Sequence, residues 1–266
     1  MSRARVTGLW IYPVKSMSGI PLTEMDLVER GLRYDRRWMV VDEDGRFLTQ
    51  RSVPELAVVE TVIAGDRIVL SGRGRRPVWI PLEPDGEPAS SVVVWGDEVA
   101  AVPGPPKVDR WLSEVLGRPV RLVHMPETSD RAAKRDPTGR GARVSFADAY
   151  PLLLISEESL GALNERLERP VPMDRFRPNV VARGAGAFDE DGWDRFRIGS
   201  IECRVASRCA RCSTTTVDQV SGERGKEPLK TLATFRREGD DVFFGVNVVH
   251  AGTGTLAVGD PIETLG

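Results

Sequence analysis

Arg208-Cys209-Ala210-Arg211-Cys212-Ser213-Thr214-Thr215-Thr216-Val217-Asp218 holds two of the chain's three cysteines. Two arginines flank them, hydroxyls follow, and a carboxylate closes the run. A thiolate is a nucleophile and a soft metal ligand, and neighbouring cations favour its ionised form. A thiol that starts near about 8.5 is drawn toward neutrality beside guanidiniums. The flanks are β in pattern: Ile201 to Ala206 and Ser213 to Val217 read as strands. The run is therefore expected at the junction of two strands.

Outward from that junction the β pattern continues. Asp194 to Ile198 turns through Gly199-Ser200, and Val242 to His250 is a near-continuous apolar strand with Asn247 inside it. A buried amide needs partners, so Asn247 serves either a core network or a ligand. Leu152 to Ile155 is a short buried strand. Ser156 caps the helix after it, with Glu157 and Glu158 in the first turn and Leu160, Leu163 and Leu167 on the apolar face. Lys226-Glu227-Pro228 opens another short helix. In the first half, strands are expected at Val6 to Tyr12, Pro21 to Glu29, Arg37 to Val41, Phe47 to Gln50, Ala57 to Ile63 and Arg67 to Leu70. Others follow at Val78 to Leu82, Ser91 to Trp95, Glu98 to Val102 and Val120 to Met125. Asp44-Gly45 and Gly65-Asp66 are hairpin turn signals. One helix, Pro105 to Gly117, aligns Val108, Trp111, Leu112, Val115 and Leu116 on one face and ends on a capping glycine. Short strands about 8–12 residues apart imply a barrel or sandwich.

With 37 basic and 39 acidic residues there is no global field for nucleic acid or an anionic membrane, so anion affinity must come from local clusters. Three such clusters stand out. Tyr12-Pro13-Val14-Lys15-Ser16-Met17-Ser18-Gly19 is a polar turn that serves as a connection or as an anion clamp. Asp174-Arg175-Phe176-Arg177-Pro178-Asn179 brackets a phenylalanine with two arginines. Glu127 to Arg143 is a charged linker or lid, read chiefly as a solvated loop. His124 sits mid-strand and reads as structural. An odd, low cysteine count argues against a disulfide scaffold and for a reducing compartment. Met1-Ser2-Arg3-Ala4-Arg5 runs into a strand pattern with no signal core, transit segment or spanning run, so a cytoplasmic protein is expected.

The cysteines leave several chemistries open. Cys209-x-x-Cys212 has no matching second pair for zinc, although Cys203 and His250 would complete four ligands. A redox disulfide usually sits at a helix N-terminus in a βαβ unit, and the pattern here is strand to strand. Iron–sulfur ligation fails on cysteine count. There is no Walker loop, dinucleotide fingerprint or nucleophile elbow. The remaining reading is one thiolate in a cationic, hydroxyl-rich setting, suited to a soft metal carried by an anionic cofactor.

The chain resembles the MOSC family, and within it the mitochondrial amidoxime-reducing components and their bacterial relatives. In the first half the resemblance rests on Leu9-Trp10-Ile11-Tyr12-Pro13-Val14-Lys15-Ser16, Asp35-Arg36-Arg37-Trp38 and Leu48-Thr49-Gln50-Arg51. In the second it rests on Phe176-Arg177-Pro178-Asn179, Arg211 to Asp218, Lys226-Glu227-Pro228-Leu229 and Val258-Gly259-Asp260-Pro261. It implies a β-rich α+β fold: an N-terminal β-barrel-like domain over residues 1–126, a linker or lid over 127–149, and a MOSC β-barrel domain with a few short helices over 150–266. It also implies a molybdenum cofactor (molybdopterin) with Cys212 as the metal's protein ligand. Lys15, Ser16, Arg36, Arg177, Asn179 and Arg211 then hold pterin and phosphate, with Asn247 as a further contact. Pyridoxal phosphate is not expected. Some relatives carry small hydroxyl residues ahead of the proline at Pro151, where this chain has Ala149 and Tyr150.

The function so implied is reduction of small N-hydroxylated substrates: amidoximes, hydroxylamines or N-hydroxylated bases. Asp218 is expected to orient a proton donor or to hold the loop. Some relatives carry a fused C-terminal iron–sulfur domain; with no cysteine after Cys212, a separate ferredoxin-like or flavin electron donor is expected. Two alternatives stay open: a cofactor carrier or sulfur-transfer protein using Cys212, and a non-catalytic β-barrel binding module.

Overall fold

Burial along the first strand, β1 (Ala4–Ile11), changes parity midway: Val6 is buried and Leu9 is the next residue that is fully so. A bulge between Val6 and Gly8 accounts for the change. The computed structural model that shows this describes residues 4–72 and 74–265. Met1-Ser2-Arg3, the start of the expected N-terminal run, lies outside them. Six more strands join β1: β2 (Leu152–Ser156), β3 (Val180–Arg183), β4 (Arg195–Ile198), β5 (Ile201–Ala210), β6 (Asp241–His250) and β7 (Pro261–Leu265). Their spatial order is β2-β3-β1-β7-β4-β5-β6, and β6 pairs back onto β2, closing a seven-stranded barrel. Only β2 and β3 run parallel. Alternate residues fill the interior, among them Val6, Leu9, Leu154, Val180, Phe196, Cys203, Val246 and Val248. Where β6 passes β2, Gly245 sits at φ 75 and a Cβ there would lie 2.5 Å from Ile155 Cγ1. Only glycine fits that crossing.

The first half of the chain builds two smaller sheets. Trp38–Val41, Arg121–His124, Asp97–Pro103 and Ser90–Val94 form one; Glu60–Ala64, Arg67–Ser71 and Val78–Pro81 form the other. Helix α1 (Pro106–Leu116) lays Val108, Trp111, Leu112 and Leu116 into a core shared with Trp38, Leu70 and Ile80. Gly117 ends it at φ 64, its N–H bonded to Ser113 O. Helices α2 (Glu157–Asn164) and α3 (Leu229–Leu232) are short, and Ser156 Oγ accepts from Ser159 N as the expected cap of α2. The architecture is thus β-rich α+β with few helices. β1, although first in the chain, is a stave of the barrel built by the second half.

Four expected strands come out differently. Ser213–Thr216 is a 3-10 turn, because the Thr215 and Thr216 hydroxyls bond back to Cys212 O (3.0 Å) and Ser213 O (2.8 Å). The opening motif therefore joins a strand to a turn. The hairpin about Asp44-Gly45 forms only near its turn, with Asp42 N–H bonded to Arg46 O (2.9 Å), Leu48 N–H to Val40 O (2.8 Å) and one bridge from Phe47 to Val41, while Trp38–Val41 makes its full ladder with Arg121–His124. The 57–63 run starts inside a 3-10 turn, Pro54–Val58, and its strand begins at Glu60. The 21–29 run breaks at Thr23 into Ile20–Leu22, beside β1, and Glu24–Val28, beside Gly254–Ala257.

Candidate functional site

Both halves of the chain line a cavity of about 800 Å³. On one wall the turn after β1 carries Lys15 and Ser16. Lys15 N–H bonds Trp38 O (2.8 Å), which ties the turn to the first sheet. Its buried ammonium donates to Phe146 O (2.8 Å) and pairs with Asp148. Burial pushes the Lys15 pKa below its ordinary value, and Asp148 opposes the shift. Desolvation in the cleft would raise the Asp148 carboxyl, but the Lys15 charge and hydrogen bond, with Arg51 and the Trp95 indole N–H, together outweigh it and hold Asp148 well below the usual carboxylate range.

Tyr12 forms the floor behind them. Its ring is buried, its hydroxyl donates to Pro178 O (3.2 Å), and two guanidiniums lie over it, Arg36 at 4.5 Å and Arg177 at 4.2 Å. Arg36 is well satisfied, donating to Asp35 (2.6 Å), Asn179 Oδ1 (3.2 Å) and Arg177 O (3.2 Å). Burial alone would lower the Arg36 pKa, but Asp35 reverses the shift and raises it. Arg177 has no such carboxylate: its Nη2 is buried without a partner, and burial pushes its pKa down to about 10. It remains charged at neutral pH. Asn179 cross-links the region, donating to Trp10 O (3.2 Å) and accepting from Leu153 N (3.2 Å). Ser16, Arg36 and Arg177 all sit at positive φ (70°, 50° and 57°). For side-chain-bearing residues that conformation costs about 1–3 kcal/mol each, and such strain gathers at functional sites.

The opposite wall is the end of β5. A bulge between Arg208 and Ala210 interrupts its ladder with β6 and brings Cys209, Arg211 and Cys212 to the cavity. Arg211 donates to Cys209 Sγ (3.0 Å) and Phe176 O (2.7 Å), while its Nε is buried without a partner. The Cys212 thiol is half-buried and hydrogen-bonds Thr214 Oγ1 at 3.4 Å. Arg208 does not act on the thiols as expected. It stacks on Phe243 (4.3 Å) and pairs with Glu238 outside the cavity. Asn247 Nδ2 donates to Ser207 Oγ (3.1 Å) and lines the cavity from β6.

The structure thus brings Lys15, Ser16, Arg36, Arg177, Asn179, Arg211, Cys212 and Asn247 to one cavity. Asp218 is not among its lining residues. It pairs with Arg175 (2.6 Å) and accepts from Ser221 N (2.9 Å) and Val220 N (3.0 Å); the Ser221 amide is the chief cause of its lowered pKa. Thr49, Arg51, Asp148, Tyr150 and Cys209 also line the cavity. Thr49 and Arg51 belong to a run whose resemblance was legible; nothing local in the sequence marks Asp148. Cys203 is inside the barrel, and burial pushes its thiol up to about 12, so it is inert.

Five cationic side chains face this space (Lys15, Arg36, Arg51, Arg177, Arg211) against one carboxylate, Asp148. An anion is the ligand such a wall favours. The unpartnered donors of Arg177 and Arg211 fit a phosphate-bearing group. Among the described residues no three His, Cys, Asp or Glu side chains come together as a metal cage. A metal at Cys212 would take its other ligands from the bound group. Also among the described residues, no helix is long and apolar enough to cross a membrane.

Comparison with known proteins agrees in outline. Residues 3–119 match the MOSC N-terminal beta barrel domain and residues 141–263 match the MOSC domain. Mitochondrial amidoxime-reducing component 1 of Homo sapiens is 34% identical over 279 residues, covering 98% of this chain and 83% of that protein. A molybdenum cofactor sulfurase of Oryza sativa subsp. japonica is 34% identical over 267 residues, covering 92% of this chain and 32% of that protein. Among solved structures, the YUAD protein of Bacillus subtilis is 11% identical with a TM-score of 0.47, covering 99% of this chain and 97% of that one.

Proposed function

Because the chain belongs to the MOSC family, in the branch that carries a MOSC N-terminal beta barrel domain, we propose that it is a molybdenum-cofactor oxidoreductase. Its substrates are small N-hydroxylated compounds (amidoximes, hydroxylamines, N-hydroxylated bases), and its electrons come from a separate ferredoxin-like or flavin protein. One juxtaposition supports this most: Arg177, a buried guanidinium with no anion, shares a cavity with Cys212, a thiol with no strong partner.

When bound, the cofactor supplies the two-electron redox chemistry. Cys212 would be its one protein ligand to the metal. Lys15, Ser16, Arg36, Arg177, Asn179 and Arg211 would hold its pterin and phosphate, with the unpartnered donors of Arg177 and Arg211 available to the phosphate and Asn247 a further contact. Each guanidinium is already oriented, Arg36 by Asp35 and Asn179, and Arg211 by Cys209 and Phe176 O. Reduction of an N–OH group to N–H and water consumes two electrons and two protons. Asp148, held ionised by Lys15, is no proton donor at neutral pH; the Lys15 ammonium is the one held proton on that wall. Asp218 fixes the 218–221 turn against Arg175, a positioning role.

The protein made in a molybdenum-cofactor-competent host tests this. Near-stoichiometric molybdenum is expected in the wild type and in Cys209→Ala, and its loss in Cys212→Ala. A loaded sample should reduce benzamidoxime with an artificial donor; failure to do so counts against the enzyme. Cyanide-labile sulfur on Cys212 without molybdenum would point instead to a sulfur-transfer protein. Absence of both, with loading verified in the host, would leave a binding module.

A further inference from the structure

Arg36 lines the cavity just described, and its neighbour Arg37 lines another, of about 700 Å³. Arg30, Arg33, Arg37 and His124 face this second space, with Glu83 and Glu127 at its edge. Three of these side chains are nearly inaccessible: Arg30 is 5% exposed, Arg37 8% and His124 4%. The first two are rigidly mounted. Arg30 donates to Pro126 O, Glu127 O and Ser129 O; Arg37 donates to Met125 O and to the Glu127 carboxylate. Glu127 is itself 76% exposed at the side chain, an anion that can swing away from its arginines.

His124 has neither support. Its ring packs on Trp38 (4.8 Å), and both ring nitrogens are buried with no hydrogen-bond partner. Burial, then Arg37 and Arg30, depress its pKa to about 3, so the ring is neutral at pH 7. A neutral imidazole has one N–H to give and one lone pair to fill. Two guanidiniums, Arg37 and Arg30, lie beside it, their one carboxylate partner the exposed Glu127; Arg33, paired with Asp26 (3.3 Å), lines the same space. An oxyanion that still carries a hydroxyl would meet their charge and fill the lone pair of the ring.

We propose that this second cavity binds a protonated phosphate, either inorganic phosphate or the monoanion of a small phosphomonoester. His124 reads the phosphate hydroxyl, and Arg37 and Arg33 hold its charge in place of Glu127. Sulfate at neutral pH has acceptors only. It leaves the His124 lone pair empty and binds more weakly.

Isothermal titration of the full-length protein with inorganic phosphate decides the matter. Uptake that survives Arg177→Ala, which cripples the first cavity, is expected to be lost in His124→Leu. Arg33→Ala, at a half-buried position, should weaken it about tenfold. In the Arg177→Ala protein phosphate should bind about tenfold more tightly than sulfate, and His124→Leu should erase that preference. At about pH 5.5, where both ligands keep a hydroxyl, glycerol phosphate binding more tightly than inorganic phosphate would assign the cavity to phosphomonoesters; the reverse would assign it to free phosphate. No uptake in Arg177→Ala would overturn the proposal. So would uptake indifferent to His124→Leu and Arg33→Ala in proteins of unchanged circular dichroism, or equal affinity for phosphate and sulfate.

Discussion

Replacing Arg177 by methionine should strengthen the cofactor-free protein while weakening its hold on the cofactor. The guanidinium is buried, has an unpartnered Nη2, and shares the Tyr12 ring with a second guanidinium, Arg36. A buried unpaired donor costs about 1–3 kcal/mol, more when it belongs to a charged group. Stacking on Tyr12 returns about 0.5–2 kcal/mol. Methionine keeps the length and packing of the stem without the charge. The difference favours the variant by about 1 kcal/mol, a rise in Tm of about 2–4 °C for a chain of this size. With cofactor, the sign reverses. Loss of a charge-assisted bond to phosphate costs about 1.5–3 kcal/mol, or roughly 10- to 100-fold in retention. Calorimetry on cofactor-free protein and molybdenum analysis after dialysis read the two effects separately. A Tm lowered by several degrees, or unchanged molybdenum retention, would refute the reasoning.

His124 should make the protein acid-sensitive. Its folded pKa of about 3 lies below the 6.5 of an unperturbed histidine, so between those values the unfolded chain takes up a proton that the folded one refuses. Stability then falls as pH drops through that window, by at most about 1.4 kcal/mol per pH unit. Urea unfolding in phosphate-free buffer should show a shallower slope for His124→Phe, and an identical slope would disprove the assignment. Glu190, fully buried, accepts from Ser156 N (3.1 Å), Ser156 Oγ (3.0 Å) and Ser159 Oγ (2.7 Å). Because Ser156 Oγ also donates to Ser159 Oγ (2.7 Å), Glu190→Ala orphans the Ser156 amide and one hydroxyl and should cost about 2–3 kcal/mol in urea unfolding, and a loss under about 1 kcal/mol would contradict that account. Gly245→Ala should cost about 3 kcal/mol or block folding, from overpacking plus left-handed strain; a soluble variant with the wild-type Tm would show that β2 and β6 yield there.

The elements legible in the sequence are those whose residues all point one way. Val242 to His250 is near-continuously apolar and became β6; Pro105 to Gly117 has both a helical stripe and a glycine stop and became α1. The misreading at Ser213–Thr216 came from threonine, whose branched Cβ favours strands while its hydroxyl competes for the backbone. Trp38–Val41 was read as half of a hairpin because a turn signal is local, whereas its true neighbour, Arg121–His124, is announced by nothing nearby. The candidate site divides similarly. Lys15, Arg36, Arg177 and Cys212 stand in runs distinctive enough to nominate. That Arg211 turns to Cys209, and Arg208 away to Glu238, follows from a bulge that no pattern in the sequence declares.

The register of β1 bears on how the molecule is made. Ala4 faces Ile262 and Arg5 faces Pro261, while Arg5 also pairs with Arg183 on its other side. On the ribosome, β1 therefore waits for a strand far along the chain before both of its edges are bonded. Contacts so distant along the chain form late and slowly, because the loop must be closed before anything is gained. Until then β1 offers open edges to other strands. Translation that halts before Pro261 would strip β1 and β4 of the same neighbour at once and leave the barrel open. Emergence of Pro261–Leu265, more than completion of the first half, is then the event that commits the barrel to its fold.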